Sequence, residues 1–141
     1  MIFKTTVLKG NNPKRNWHLI DLEGKTLGRV SVEIANLLMG KNKPTFSYHR
    51  DDGDYVVAIN SDKIKVTGKK LTDKIYYRYT NFPGGLRSLT LKELLAKDSR
   101  KVIHHGVNGM LPKNHLRKKR MSRLKIFAGG EHTFADKLTT K

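Results

Sequence analysis

The chain reads as a single α/β domain: three α/β/α layers, a largely parallel sheet of about four strands, and a basic helical extension near the C-terminus. Three observations predict this. The apolar run Trp17-His18-Leu19-Ile20-Asp21-Leu22 is followed closely by Leu27, Val30, Ile34, Leu37 and Leu38 at helical spacing. Tyr55-Val56-Val57-Ala58-Ile59 is a continuous apolar run of strand length, the pattern of a strand covered on both faces. The 141 residues contain no repeat and no low-complexity linker, so they suit one domain with its own core, spanning 1–141.

Each element has its own signal. The first strand ends at Glu23-Gly24, and Gly40 stands where the first helix needs a C-terminal cap. A polar loop over 41–54 leads into the second strand. Ile64 and Val66, then Ile75, Tyr77 and Tyr79, alternate with polar residues and predict two half-buried strands. Asn81-Phe82-Pro83-Gly84-Gly85 has the composition of a turn. Thr90-Leu91-Lys92-Glu93 has the capping-box pattern, in which Thr and Glu satisfy each other's free backbone N–H groups. A further helix from about Ser99 carries Val102, Ile103, Val107, Met110 and Leu111 on one side, and Pro112 ends or restarts it. Leu124, Ile126 and Ala128 alternate as a last short strand, and the polar tail over 131–141 is expected to fray.

Charge narrows the function. With 29 Lys and Arg against 12 Asp and Glu the net charge is +17, which concerns partners rather than fold. From Arg100 to Gly130 the chain has nine cations and no acid. Residues 113–125 hold seven of them: Lys113, Arg117, Lys118, Lys119, Arg120, Arg123 and Lys125. Read as a helix, this segment spreads its cations over several sides, and like charges at i,i+3 and i,i+4 repel by roughly 0.2–0.5 kcal/mol per pair. A solvated helix normally mixes signs, so an anionic surrounding is expected. A membrane surface fits poorly because the segment lacks the Trp/Phe/Leu face that an interfacial helix buries. Residues 1–16 carry no continuous apolar stretch of the secretory type, and the absence of Cys fits a reducing compartment.

No enzyme motif survives inspection. Gly24-Lys25-Thr26 lies between strand and helix, but a phosphate-cradling loop needs a glycine where Leu19 stands. Asp51-Asp52-Gly53-Asp54 suggests a cation site. Counted from Asp52 as the first ligand, however, the twelfth position of a calcium loop is Lys63, so a turn or a partner for nearby cations is the better reading. His104 and His105 are adjacent and diverge by about 100° on a helix, and no Ser occupies a Gly-x-Ser-x-Gly elbow. Neither catalysis nor a cofactor or metal is expected. A zinc finger, a basic zipper and an aromatic RNA-recognition signature are likewise missing. What remains is a distributed basic surface of Arg29, Lys41, Lys43, Arg50, Lys69, Lys70, Arg78 and the 113–125 run with Asn114. Folded RNA, which offers phosphates on several sides, suits it best.

Trp17-x-x-x-Asp21-x-x-Gly24-x-x-Leu27-Gly28-Arg29, Ala35-Asn36-x-Leu38-x-Gly40-Lys41 and Gly53-Asp54-x-Val56-Val57-x-x-Asn60 form an ordered series. It continues through Lys65-Val66-Thr67-Gly68-Lys69-Lys70, Tyr76-Tyr77-Arg78, Phe82-Pro83-Gly84-Gly85-Leu86 and Val107-Asn108-Gly109-Met110-Leu111-Pro112-Lys113-Asn114. Arg123-Leu124-Lys125-Ile126-Phe127-Ala128-Gly129 and Glu131-His132 close it. Over roughly residues 3 to 132 the chain resembles the L-thirteen family of large-subunit ribosomal proteins, in its bacterial or organellar branch. The resemblance implies a structural component of the large subunit that binds large-subunit rRNA early in assembly, beside neighbouring large-subunit proteins and without chemistry of its own. It implies a cytoplasmic or organellar ribosome, no membrane and no homo-oligomer. It also implies that 109–114 leads into the rRNA-binding segment and that Gly68-Lys69-Lys70 lies beside rRNA. Two departures stand out: Arg117-Lys118 where the family has Gly-Arg, and Thr133-Phe134-Ala135-Asp136 where it reads Pro-His and then Gln. A free regulator acting on its own messenger RNA is the alternative, since the same cations serve it.

Overall fold

The computed structural model describes residues 13–138; the outer parts of the predicted N-terminal segment and of the tail, 1–12 and 139–141, lie outside the described residues. The order is β1 (Trp17–Asp21), α1 (Leu27–Met39), β2 (Tyr55–Ile59), a 3-10 turn (Ser61–Lys63), α2 (Lys70–Asp73), β3 (Ile75–Tyr79), β4 (Leu86–Thr90), α3 (Leu91–Met110), α4 (Leu116–Ser122), β5 (Leu124–Ile126) and α5 (Ala135–Leu138). β1, β2 and β5 form a parallel sheet with β2 in the centre, and β3 pairs antiparallel with β4 in a separate two-stranded sheet.

The α/β class with a mostly parallel sheet is the expected one, with three parallel strands in place of about four. Ile64 and Val66 form no strand; they pack on the core as loop residues, and only a single bridge joins Thr26 to Lys65. The hairpin partner β4 had no signal of its own, because Leu86 and Leu89 are three apart rather than two.

β2 is buried on both faces, as its unbroken apolar sequence requires. Val56 and Ala58 join Ile20, Leu124 and Ile126 on the face covered by α1 and α3, while Val57 is completely buried on the other. α1 and α3 also pack on each other, and Gly106 permits the close approach: a Cβ there would lie 2.6 Å from Ser31 Oγ. Ser31 is itself satisfied by donating to the Leu27 carbonyl at 2.8 Å.

Gly40 ends α1 in the left-handed region (φ 76°), returning its N–H to the carbonyls of Asn36 and Leu37. Thr90 and Glu93 close the capping box at the start of α3. At Asp98 the helix leaves helical geometry (φ −163°, ψ 97°), and the Asp98 carboxylate accepts from Arg100 N at 3.1 Å, so the turn at Ser99 starts as a newly capped helix.

The second face of the sheet is covered where the tail was expected to fray. The Trp17 ring stacks on Tyr55 at 4.3 Å and on Phe134 at 5.3 Å, Phe127 meets Phe134 edge-on at 6.1 Å, and Lys137 Nζ sits 5.1 Å above Trp17. Phe134 belongs to the stretch that departs from the family pattern, and it supplies the third layer with little more than one helical turn, α5.

Candidate nucleic-acid interface

The four residues 51–54 lie at the amino-terminal edge of the parallel sheet and organise the cations near them. Gly53 is pressed against the end of α1 so closely that a Cβ would stand 1.7 Å from the Leu38 carbonyl oxygen. That approach fixes three carboxylates. Asp51 accepts two hydrogen bonds from Arg123, Nη1 and Nη2, each at 2.6 Å, with Arg120 Nε at 3.6 Å and Arg15 Nη2 at 3.7 Å. Asp52 accepts from Arg50 Nε at 3.0 Å. Asp54 takes Lys43 Nζ, His18 Nε2 at 3.0 Å and the Asn16 N–H at 2.9 Å. Two donors also reach backbone, Arg120 Nη2 the Arg50 carbonyl and Arg123 Nη2 the Leu38 carbonyl, both at 3.1 Å, while the buried Nε of each arginine has no hydrogen-bond acceptor.

Burial alone would raise the Asp51 pKa. The Arg123 hydrogen bonds, with the charges of Arg123, Arg15 and Arg120, overcome it and hold the carboxyl below its ordinary value. Asp54 behaves in the same way: burial pushes up, and the bonds from Lys43, Asn16 and His18 pull its pKa down further. The acidic run is thus an ion-pair hub, as its composition suggested, with every carboxylate facing a cation.

This hub corrects one expectation. Arg120 and Arg123 do not project outward: they are 1% and 3% exposed and converge on Asp51. Two-pronged phosphate contacts from their guanidinium groups are therefore not available in this fold. The helix also begins only at Leu116, so Lys113 belongs to the preceding turn and shares no helical side with Arg117 and Arg120. Arg50 and Lys43 are likewise drawn in, on Asp52 and Asp54.

Other predicted residues do face solvent. Lys113, Asn114, Lys118 and Lys119 are exposed, and Arg117 and Lys125 are half-buried. Arg29 is exposed on the first turn of α1, Lys41 just beyond its last, Lys69 and Lys70 at the start of α2, and Arg78 on the hairpin. They lie on several elements rather than on one helix.

The hairpin adds a residue that sequence reasoning missed. Arg78 is directly opposite Arg87 in the β3–β4 register, and both are exposed. Like charges facing each other across a ladder repel unless an anion lies between them. The two arginines flank the turn at 81–85 in sequence, but the pairing is legible only once β4 is known. The same hairpin reverses another expectation. Ile75, Tyr77 and Tyr79 face solvent, with Tyr77 66% and Tyr79 59% exposed, and it is Tyr76 that packs on the core beside His105. Burial, with the charge of the neighbouring His105, lowers the His104 pKa, so at neutral pH His104 adds little to the positive surface.

Between the start of α1, the loop before α2, α2 itself and the far end of α3 lies an open cleft of about 480 Å³, with Lys69, Lys70, Lys74 and Asp73 in its lining. No helix among the described residues is long and apolar enough to cross a membrane.

These features define a class: a basic α/β domain whose buried acids hold one set of cations in place while another set covers its surface. Residues 15–133 match the model of the family described as ribosomal protein L13. The chain is 49% identical over 132 residues to the large ribosomal subunit protein uL13 of Clostridioides difficile, covering 94% of this chain and 92% of the relative. It is 51% identical over 131 residues to that of Thermosipho africanus (93% and 88% covered), and 48% identical over 132 residues to that of Geobacter sp. strain M21 (94% and 93%). The chain belongs to the ribosomal protein L13 family.

Proposed function

We propose that the protein is a structural constituent of the large ribosomal subunit, that it binds large-subunit rRNA and supports early subunit assembly beside neighbouring large-subunit proteins, and that it performs no chemistry. The observation that carries this reading is the division of charge within a member of the L13 family. Around 51–54 the acids neutralise internal arginines, and the exposed lysines of 113–119 have no acid in their own stretch of chain.

Exposed cations on several elements neutralise phosphates of different RNA segments at once and release their counterions. Segments that repel one another in free RNA are thereby held together on one rigid body. Arg120 and Arg123 act by positioning: anchored on Asp51, they orient the short α4 so that Lys118 and Lys119 point away from the core. Lys69 and Lys70, Arg29 and the Arg78/Arg87 pair extend the footprint beyond that helix. The relatives are named as large-subunit proteins, and we place this protein on the ribosome in the cytoplasm.

Sedimentation of a lysate tests the assignment directly. The protein is expected to travel with large subunits, and crosslinking within purified subunits is expected to join 113–119 to rRNA. Recovery at the top of the gradient, as for a free regulator of its own messenger RNA, would overturn it.

A further inference from the structure

The cleft beside α1 has the composition of a nucleotide site rather than of a mere gap between helices. Its floor is apolar, formed by Leu27, Val66, Leu91 and Met110, and its rim carries Lys69 and Lys70. Lys74 also lines it, with its Nζ 5.3 Å from the Tyr76 ring centre, while Asp73 is the acid of the lining and accepts from Thr72 Oγ1 at 2.9 Å. The cleft opens where β1 hands over to α1, the carboxyl end of a parallel strand, which is where α/β sheets commonly receive ligands. Its volume, about 480 Å³, lies in the range of small-ligand sites.

Gly28, exposed in the first turn of α1, lines the cleft and has no atom within 4 Å of the position a Cβ would take, so there is room for a larger side chain there. Met110, 49% exposed, is a flexible and polarisable side chain suited to lying against a flat ring.

We infer that this cleft receives one unstacked nucleotide of the bound RNA, its base against Leu27, Val66 and Met110 and its phosphate on Lys69 and Lys70. Phosphate contacts alone are indifferent to the state of the bases, whereas a base held out of the helix is available only at bulges, loops and ends. The cleft therefore selects where on the rRNA the domain seats. The inference rests on the RNA-binding reading above and adds a defined contact to it.

The experiment uses the full chain and three probes, inorganic phosphate, AMP and a short single-stranded oligoribonucleotide, followed by NMR at the Gly28 and Gly106 amides and the Met110 methyl. AMP and the oligonucleotide are expected to shift all three signals, the oligonucleotide at lower concentration, while phosphate moves only the Lys69–Lys70 region. In parallel, Gly28→Leu, which fills the cleft without touching a lysine, is expected to lose about tenfold in rRNA affinity, the share of one base contact, with the salt dependence unchanged. Met110→Gln, at an exposed site, provides the same readout should Gly28→Leu fold poorly. Equal Met110 shifts with phosphate and AMP, or tighter binding of AMP than of the oligonucleotide, would overturn the inference. So would wild-type rRNA affinity in the filled variant, and in that case the RNA-binding reading stands. Failure of the unaltered protein to bind rRNA at all would instead defeat the underlying reading.

Discussion

Asp51→Asn removes the charge on which two buried arginines converge. Arg123 loses a two-bond partner at 2.6 Å, and Arg120 loses the carboxylate 3.6 Å from its Nε. Neither can turn to water, since they are 3% and 1% exposed. Breaking a buried pair by deleting one member typically costs about 3–5 kcal/mol, because the remaining charge is desolvated without compensation. Set against the 5–15 kcal/mol that stabilises a typical domain, this is a large fraction, equivalent to a fall in Tm of roughly 10–15 °C for a chain of this size. The assay is urea unfolding followed by circular dichroism, on Asp51→Asn, Arg123→Met and the double variant. The double variant is expected to lose clearly less than the sum of the singles, because removing Arg123 as well leaves one fewer uncompensated charge. The pH arm has a definite sign. The folded-state pKa of Asp51 lies below its ordinary 3.8, so its contribution is complete above that value and is lost as pH falls through the depressed one. The wild type should therefore lose its advantage over Asp51→Asn in acid. A single-mutant loss below about 1 kcal/mol, the range of exposed pairs, would refute the picture of a buried hub.

Four further outcomes are expected. Replacing Lys118 and Lys119 with Gln should lower the slope of log affinity against log salt for rRNA by about 1–2, and adding Arg120→Gln should change stability without lowering that slope again; salt titration of binding decides. Arg87→Glu should act with opposite signs, stabilising the free protein by about 0.2–1 kcal/mol through a cross-strand pair with Arg78 while weakening rRNA binding, as thermal melts and filter binding will show. Gly53→Ala should destabilise by at least about 2 kcal/mol or prevent soluble expression, since its Cβ falls 1.7 Å from backbone oxygen; denaturation of any soluble fraction measures it. Phe134→Ala should leave the core melt nearly unchanged but speed proteolytic cleavage after residue 130, as mass spectrometry of limited digests will report.

Elements with a strong local period were legible before any coordinates: β1, α1 with its Gly40 cap, β2, the Thr90 capping box and the split of α3 near Ser99. The side of a strand that meets the core was not. Ile75, Tyr77 and Tyr79 carry the apolar alternation of a buried face, yet Tyr76 is the one that packs, because burial is decided by where the hairpin docks on α3. Charge was legible as an amount and not as a direction. Arg120 and Arg123 look like their neighbours in sequence, and their partner Asp51 is some seventy residues away. The one available clue was the crowding of three acids at 51–54, which needed cations from elsewhere in the chain. Phe134 was obscured by the polar residues around it, although a lone aromatic in a polar tail is itself a sign of docking.

The order of the parallel sheet has a consequence in time. Its middle strand, β2, pairs on one side with Trp17–Asp21, earlier in the chain, and on the other with Leu124–Ile126, far along it. The same late segment delivers Arg123 to Asp51. During synthesis the first half of the molecule can form α1 and pair β1 with β2, yet it must wait with one edge of the central strand open and a carboxylate awaiting its guanidinium. Closure of the sheet and assembly of the ion-pair hub therefore fall together, once residues 123–126 have been made and the cations of 113–119 are already available. Such non-local pairing is slow to form, and a chain that cannot finish folding before its basic segment emerges meets RNA and its own core as competing partners for the same arginines.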